Sequence, residues 1–205
     1  CGITREADAE AAVLAGADAL GFVFWPESPR FIDASHARTI VSSLPPFVTP
    51  VGVFVNQAIE HVREVAQMVG LGAVQLHGDE PPAYAAGLSR PAIKAMSLGT
   101  AASAGEVDRW PAHVMLLLDA YDPVRRGGTG QTIDWSAAAT IAARRRLMLA
   151  GGLTPENVAD AVARVKPFGI DVSSGVESSP GVKDHARLKA LFGVLHAIHY
   201  NPARS

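Results

Sequence analysis

"LMLAGGLTPENVADAVARV", residues 147–165, holds one complete structural unit. A short apolar run reads as a buried strand, and Gly151 and Gly152 turn the chain at its end. Thr154 is placed to cap a helix, with Pro155 at the first helical position and Glu156 early in the first turn. A second strand-like run, "GIDVSSG" (169–175), follows after a short connection. A strand that feeds a helix and then another strand predicts a parallel pair joined by a right-handed crossover.

The same unit recurs along the chain. Apolar or β-branched runs lie at 19–24, 49–55, 73–76, 92–96 and 114–119. They lack clean period-two alternation, as strands buried on both faces do. Helical patterns alternate with them: one opens at Asp33, one follows Asn56 and ends at Gly70, and one opens at Asp184. The helix-like "READAEAAVLAG" near the start has no strand ahead of it. A strand just upstream of Cys1 would complete eight βα units. The expectation is therefore an α/β protein, a TIM (βα)8 barrel forming a single domain over 1–205, with its first strand missing or truncated in this sequence.

Composition narrows the function classes. The 205 residues are 48% hydrophobic, enough for a substantial core. No apolar run approaches the ~18 residues that a membrane helix needs. A net charge of −2 and a short "RRR" at 144–146 argue against nucleic acid as a partner. A single cysteine forms no internal disulfide, so a cytoplasmic setting is the default expectation. Oligomeric state is left open between monomer and homodimer.

In a barrel of this type the chemistry gathers at the C-terminal strand ends. Those ends carry Cys1, Arg30, Asn56, His77, Lys94, Asp119, the pair Gly151–Gly152, and Ser173, Ser174 and Gly175. Each has an ordinary structural explanation: a small buried cysteine, a surface arginine, a hydrogen-bonded histidine, a loop-capping carboxylate. Asp119 resists it most, because a charge after "VMLLL" is costly unless paired or used. The amides of 151–152 and 173–175 suit a phosphate, since glycines let the backbone approach its oxygens. "YDPVRRGGTGQTIDW" directly follows Asp119, and residues 121–132 are expected to form a mobile lid. Its "GGTG" lacks the spacing of a nucleotide-binding loop.

"CGIT", "SPR", "QLHG", "GGTGQTIDW", "LAGGLTPENV" and "DVSSGVE", in this order across the chain, resemble the phosphoribosylanthranilate isomerase family of tryptophan biosynthesis. The resemblance implies a single-domain TIM barrel that needs neither metal nor cofactor. It implies an Amadori rearrangement of N-(5-phosphoribosyl)anthranilate, an aminoaldose phosphate, to the aminoketose. On its terms Cys1 is the general base and Asp119 the general acid. Arg30 holds the anthranilate carboxylate, His77 touches substrate, and Gly151, Gly152, Ser173, Ser174 and Gly175 bind the phosphate.

The chemistry suits these residue types. Ring opening needs a proton on the ribose oxygen, which a desolvated carboxyl can supply. The C2 proton must then be removed, and a thiol with a reference pKa of about 8.5 offers some thiolate near neutrality. Two alternatives stay open: another sugar-phosphate enzyme on the same barrel, such as an indoleglycerol-phosphate synthase or a histidine-pathway isomerase, and a non-catalytic phosphate-ligand binder. The Cys1–Asp119 pair separates the first from the isomerase reading. The residues upstream of Cys1, read from the intact mass of the protein, separate the second.

Overall fold

The structure is a computed structural model that describes residues 1–98, 103–120 and 134–199. The βα unit read at 147–165 appears as strand β6 (Leu147–Leu149) and helix α7 (Val158–Val165). It belongs to a series: α1 (Glu6–Ala15), β1 (Ala19–Val23), α2 (Ala34–Ser42), β2 (Thr49–Phe54), α3 (Ile59–Val69), β3 (Ala73–Leu76) and α4 (Pro82–Ala86). It continues with β4 (Ala92–Leu98), α5 (Ser103–Val107), β5 (Met115–Ala120) and α6 (Trp135–Ala142). After α7 come β7 (Gly169–Ile170), a 3-10 turn (Ser174–Val176), a hairpin of β8 (Glu177–Ser179) and β9 (Val182–Lys183), and α8 (His185–His199). Strands β1 to β7 pair in sequence order, every neighbour parallel.

Side-chain alternation sorts each strand into two faces. Leu20, Phe22, Phe54, Val74, Leu76, Leu116, Leu118, Leu147 and Leu149 belong to the main core, with the buried residues of the helices. Ala95, Leu117 and Ala150 form a second, small cluster with Ile93 and Met148. Leu117 lies between Leu116 and Leu118, so this second cluster marks the opposite, inner face of the sheet. By the same alternation Gly21, Gln75, Asp119 and Asp171 face inward.

The sheet closes at its two edges through residues 1–3. The Cys1 backbone nitrogen donates to Val172 O (2.9 Å), beyond the end of β7. Ile3 N donates to Gly21 O of β1 (2.9 Å). This segment bridges the same gap, between β7 and β1, as the strand that the sequence reading placed just upstream of Cys1. Ile3 is buried in the main core, whereas the Cys1 thiol lies against inward-facing Gly21. Gly2, at φ 73, sits between them in a left-handed conformation open chiefly to glycine.

Lys183 and Glu177 secure the seam from the β8–β9 hairpin. Lys183 Nζ donates to Cys1 O (2.6 Å), to Ser173 O (3.4 Å) and to Glu177 Oε1 (2.7 Å). Asp8 of α1, fully buried, accepts Lys183 N (3.0 Å) and pairs with His185 Nε2 (2.8 Å). The first helix is therefore tied to the last hairpin.

Two helices begin later than the sequence pattern suggests. Helix α7 starts at Val158, not Pro155, because Thr154 N donates to Asn157 Oδ1 (2.8 Å) while Asn157 Nδ2 donates to Gly152 O (2.9 Å). That exchange holds 152–157 as a turn. Helix α3 starts at Ile59 after Ala58, and Asn56 has φ 53 rather than capping. Asp33 and Asp184 do cap, accepting from His36 N (2.9 Å) and from Ala186 N (2.9 Å). The lid expected at 121–132 lies outside the described residues. Among those described, no helix is long and apolar enough to cross a membrane.

Two outcomes are expected. Asp8→Ala strands the buried Lys183 amide and should lower the unfolding free energy by about 1–3 kcal/mol in urea titration. Burial pushes the Glu177 carboxyl up, but hydrogen bonds from Arg30 and the charge of Lys183 outweigh it and hold the group below 4.5. A carboxyl with a lowered folded value adds stability that is present above its unfolded value and lost as pH falls through the folded one. The stability gap between wild type and Glu177→Gln should therefore narrow as pH drops below about 4.5; a gap independent of pH would exclude this coupling.

Candidate active site

The inner face ends in polar residues at one rim. Asp119 is the fifth residue of β5, and inward Leu117 lies directly beneath it. It is 9% exposed, buried enough for its charge to need a use or a partner. His77 follows β3, and its Nε2 lies 3.7 Å from Asp119 Oδ2. On the intervening strand β4, Ser97 pairs with Asp119 and small Ala95 pairs with Leu117 one inward position below. Burial pushes the His77 imidazolium down; Asp119 and Asp171 push it up but do not overcome burial. The ring is held neutral further into the acid range than a free histidine.

A cleft extends from Asp119 over β6 and β7, lined by Gly151, Gly152, Asp171 and Ser173–Gly175. Gly151 and Gly152 take φ 84 and 62, turning their backbone toward this space in a way other residues rarely allow. A Cβ at Gly175 would lie 1.8 Å from Leu153 O, so the loops after β6 and β7 touch only because position 175 is glycine. Among the described residues the amides of Gly151, Gly152, Ser174 and Gly175 donate to no turn or loop carbonyl.

On the far side of the cleft stand Cys1 and Arg30. A Cβ on Gly21 would come within 2.7 Å of Cys1 Sγ, so the strand gives up a side chain to seat the thiol. A Cβ on Gly2 would lie 2.6 Å from Arg30 Cδ and 3.1 Å from Ser173 Oγ, which brings the Arg30 stem and the cleft's last loop to one point. Arg30 is not a loose surface charge. Its Nε donates to both Glu177 oxygens (3.0 and 3.1 Å) and its Nη2 to Oε2 (2.6 Å). Among the described residues no hydrogen bond engages Nη1, so one edge of the guanidinium remains for a ligand.

Cys1, Arg30, His77, Asp119, Gly151, Gly152, Ser173, Ser174 and Gly175 thus gather at one mouth. Asn56 and Lys94 stand apart. Lys94 faces the helix layer, where Nζ donates to Glu80 Oε2 (2.8 Å) and lies 5.6 Å from the Trp110 ring. Asn56 accepts from Asp79 N (2.7 Å), while its own amide donates to Glu80 Oε1 (2.8 Å). Both hold the loop that carries His77.

Sequence reading missed Gln75, Asp171, Glu177 and Lys183. Gln75 and Asp171 had a signal: each is polar, in an apolar run, at the inward parity of Leu117. Glu177 had one as the last residue of "DVSSGVE", whereas Lys183 had none beyond standing in a polar hairpin.

The chain matches the family model for N-(5'phosphoribosyl)anthranilate (PRA) isomerase over residues 1–194. A relative of that name from Pseudomonas fluorescens is 49% identical, over 95% of this chain and 96% of its own. The phosphoribosyl anthranilate isomerase of Thermotoga maritima superposes with a TM-score of 0.90 at 43% identity, covering 96% of this chain and 97% of that one. A second isomerase structure, in complex with reduced 1-(o-carboxyphenylamino)-1-deoxyribulose 5-phosphate, gives a TM-score of 0.86 at 42% identity, covering 96% of each chain. With this match running nearly end to end, and with the polar rim built on the same barrel, the chain belongs to the N-(5'-phosphoribosyl)anthranilate isomerase family.

Proposed function

We infer that the chain converts N-(5'-phosphoribosyl)anthranilate to 1-(o-carboxyphenylamino)-1-deoxyribulose 5-phosphate, a step of tryptophan biosynthesis, as one catalytic unit. The observation that carries the assignment of roles is the convergence of a thiol, a buried carboxyl and an amide-lined cleft on one inner rim.

The amides of Gly151, Gly152, Ser174 and Gly175 take the phosphate, and the free edge of Arg30 takes the anthranilate carboxylate. His77 meets the substrate beside the acid, and Ser173 closes the cleft toward Arg30. With both ends fixed, the ribose lies between Asp119 and Cys1, and orientation of this kind lowers a barrier by several kcal/mol. The Asp119 carboxyl gives its proton to the ring oxygen as the C1–O bond breaks and the nitrogen lone pair forms C1=N. The Cys1 thiolate then removes the C2 proton. The C–H electrons form C1=C2, and those of C1=N return to nitrogen. The resulting enolamine tautomerises to the ketone. Neither residue needs to form a covalent bond with substrate.

The assay is loss of anthranilate fluorescence on adding freshly made phosphoribosylanthranilate. Cys1→Ser should lose at least a hundredfold in kcat with ligand affinity kept, since a hydroxyl is a poor base at neutral pH. Gly21→Ala should do similar damage with every reactive group still present, because the new methyl occupies the thiol's seat. A Cys1→Ser enzyme with more than about a tenth of wild-type kcat would refute the base assignment.

Arg30→Ala should act mainly on KM, since it removes a hold on the far end of the substrate. An unchanged KM with a collapsed kcat would instead place Arg30 at the reacting atoms.

A further inference from the structure

Gln75 lies on the inner face of β3 and His77 just past its end, and Gln75 Nε2 lies 3.0 Å from His77 Nδ1. An amide nitrogen is only a donor, so Nδ1 must be the acceptor of this pair. In a neutral ring the proton then resides on Nε2, the atom that faces Asp119 Oδ2 at 3.7 Å. We propose that Gln75 fixes His77 as its Nε2–H tautomer, so that the neutral imidazole donates to the Asp119 carboxylate left when the acid has protonated the ribose ring oxygen. Gln75 is then a positioning residue, and His77 stabilises the conjugate base of the acid. The inference rests on Asp119 being the general acid.

The charge state matters as much as the tautomer. An imidazolium beside Asp119 would hold the carboxyl ionised before substrate arrives and leave it no proton to give. A neutral ring makes no such demand. Four charged groups act on the ring: Asp119 from β5, Asp171 beyond β7, Lys94 from β4 and Glu80 from the loop after β3. The three carboxylates favour the imidazolium and Lys94 opposes it, yet burial outweighs them and keeps the ring neutral. As the C1–O bond breaks, the proton leaves Asp119 for the ring oxygen and negative charge appears on Oδ2. The Nε2–H contact then shortens from its resting 3.7 Å and strengthens. An interaction that gains strength during the step accelerates it, whereas one equally strong beforehand would not.

The buried Gln75 side chain, 4% exposed, commits its amide nitrogen to this ring. If the amide were reversed, its oxygen would accept from Nδ1–H, and the bare Nε2 would compete for the acid's own proton. The two arrangements predict opposite chemistry.

The test begins with nitrogen-15 NMR of His77 in the wild-type protein, free and bound to reduced 1-(o-carboxyphenylamino)-1-deoxyribulose 5-phosphate. A protonated Nε2 and a bare Nδ1, unchanged from mildly acidic to mildly alkaline buffer, are expected. A protonated Nδ1, or an imidazolium at neutral pH, would overturn the proposal. Gln75→Glu, whose carboxylate accepts from Nδ1–H, should reverse the tautomer and lower kcat roughly ten- to a hundredfold, with KM within about twofold. His77→Gln, which can still donate an N–H, should retain roughly tenfold more kcat than His77→Leu; equal losses would also overturn it. Asp119→Asn at wild-type kcat would sink the acid assignment, and His77's role with it. That failure is distinguishable, because the ring's nitrogen spectrum is read without turnover.

Discussion

The contact between Lys183 Nζ and Glu177 Oε1, 2.7 Å, holds the mouth of the barrel together. Glu177 also accepts from Arg30, and Lys183 also donates to the backbone carbonyls of Cys1 and Ser173. One buried carboxylate and one buried ammonium therefore fix the proposed base, the proposed carboxylate clamp and the edge of the proposed phosphate site. Burial pushes the Lys183 ammonium down, and the Glu177 carboxylate restores only part of the loss. A buried pair of this kind is weak evidence for stability, since desolvation offsets most of its attraction. Its value here is geometric: it removes freedom from three functional elements that no single strand connects.

The second constraint is strand alternation. Because side chains alternate, one strand serves both layers of the barrel. Leu116 and Leu118 pack against helices while Leu117 and Asp119 face inward. Lys94, adjacent in sequence to inward Ala95, is turned away from the inner face by parity and joins Glu80 and Trp110 instead. Proximity in sequence to a strand end is thus a weaker guide to the site than the face on which a residue falls.

That distinction explains what the sequence could reveal. The βα rhythm was legible because each unit is local, and the order of strands followed from the handedness of the crossover. Asp119 was legible because a carboxylate after five apolar residues is costly by itself. The glycines after β6 were legible because their neighbours form a strand and a helix. Arg30 could be placed at the rim, but its fixation could not: its partner Glu177 lies 147 residues away. Lys183 and Cys1, 182 residues apart, pose the same problem. The starts of α3 and α7 shifted because side chains at Asn56 and Asn157 bond to loop backbone rather than to a helix terminus. Pairings across the closure of the barrel, and side chains that choose a loop over a cap, leave no local pattern.

Small residues shape the site as much as polar ones. Gly21 lies within a strand, where glycine weakens the structure by roughly 0.5–1 kcal/mol relative to alanine. Nothing about its backbone requires glycine, since its φ is not positive. The close approach of Cys1, whose Sγ, Cα and Cβ would lie 2.7, 3.1 and 3.2 Å from a Cβ there, accounts for it. Ala95, small and level with inward Leu117 of β5, leaves room on the inner face below the His77–Asp119 pair. Gly2 does it beneath the Arg30 stem. The inner face of a closed barrel is filled by side chains unless some are withheld. The positions where this one withholds them lie against Cys1 and Arg30 and near the buried Asp119 carboxyl, so the shape of the cavity and its polar lining are specified together.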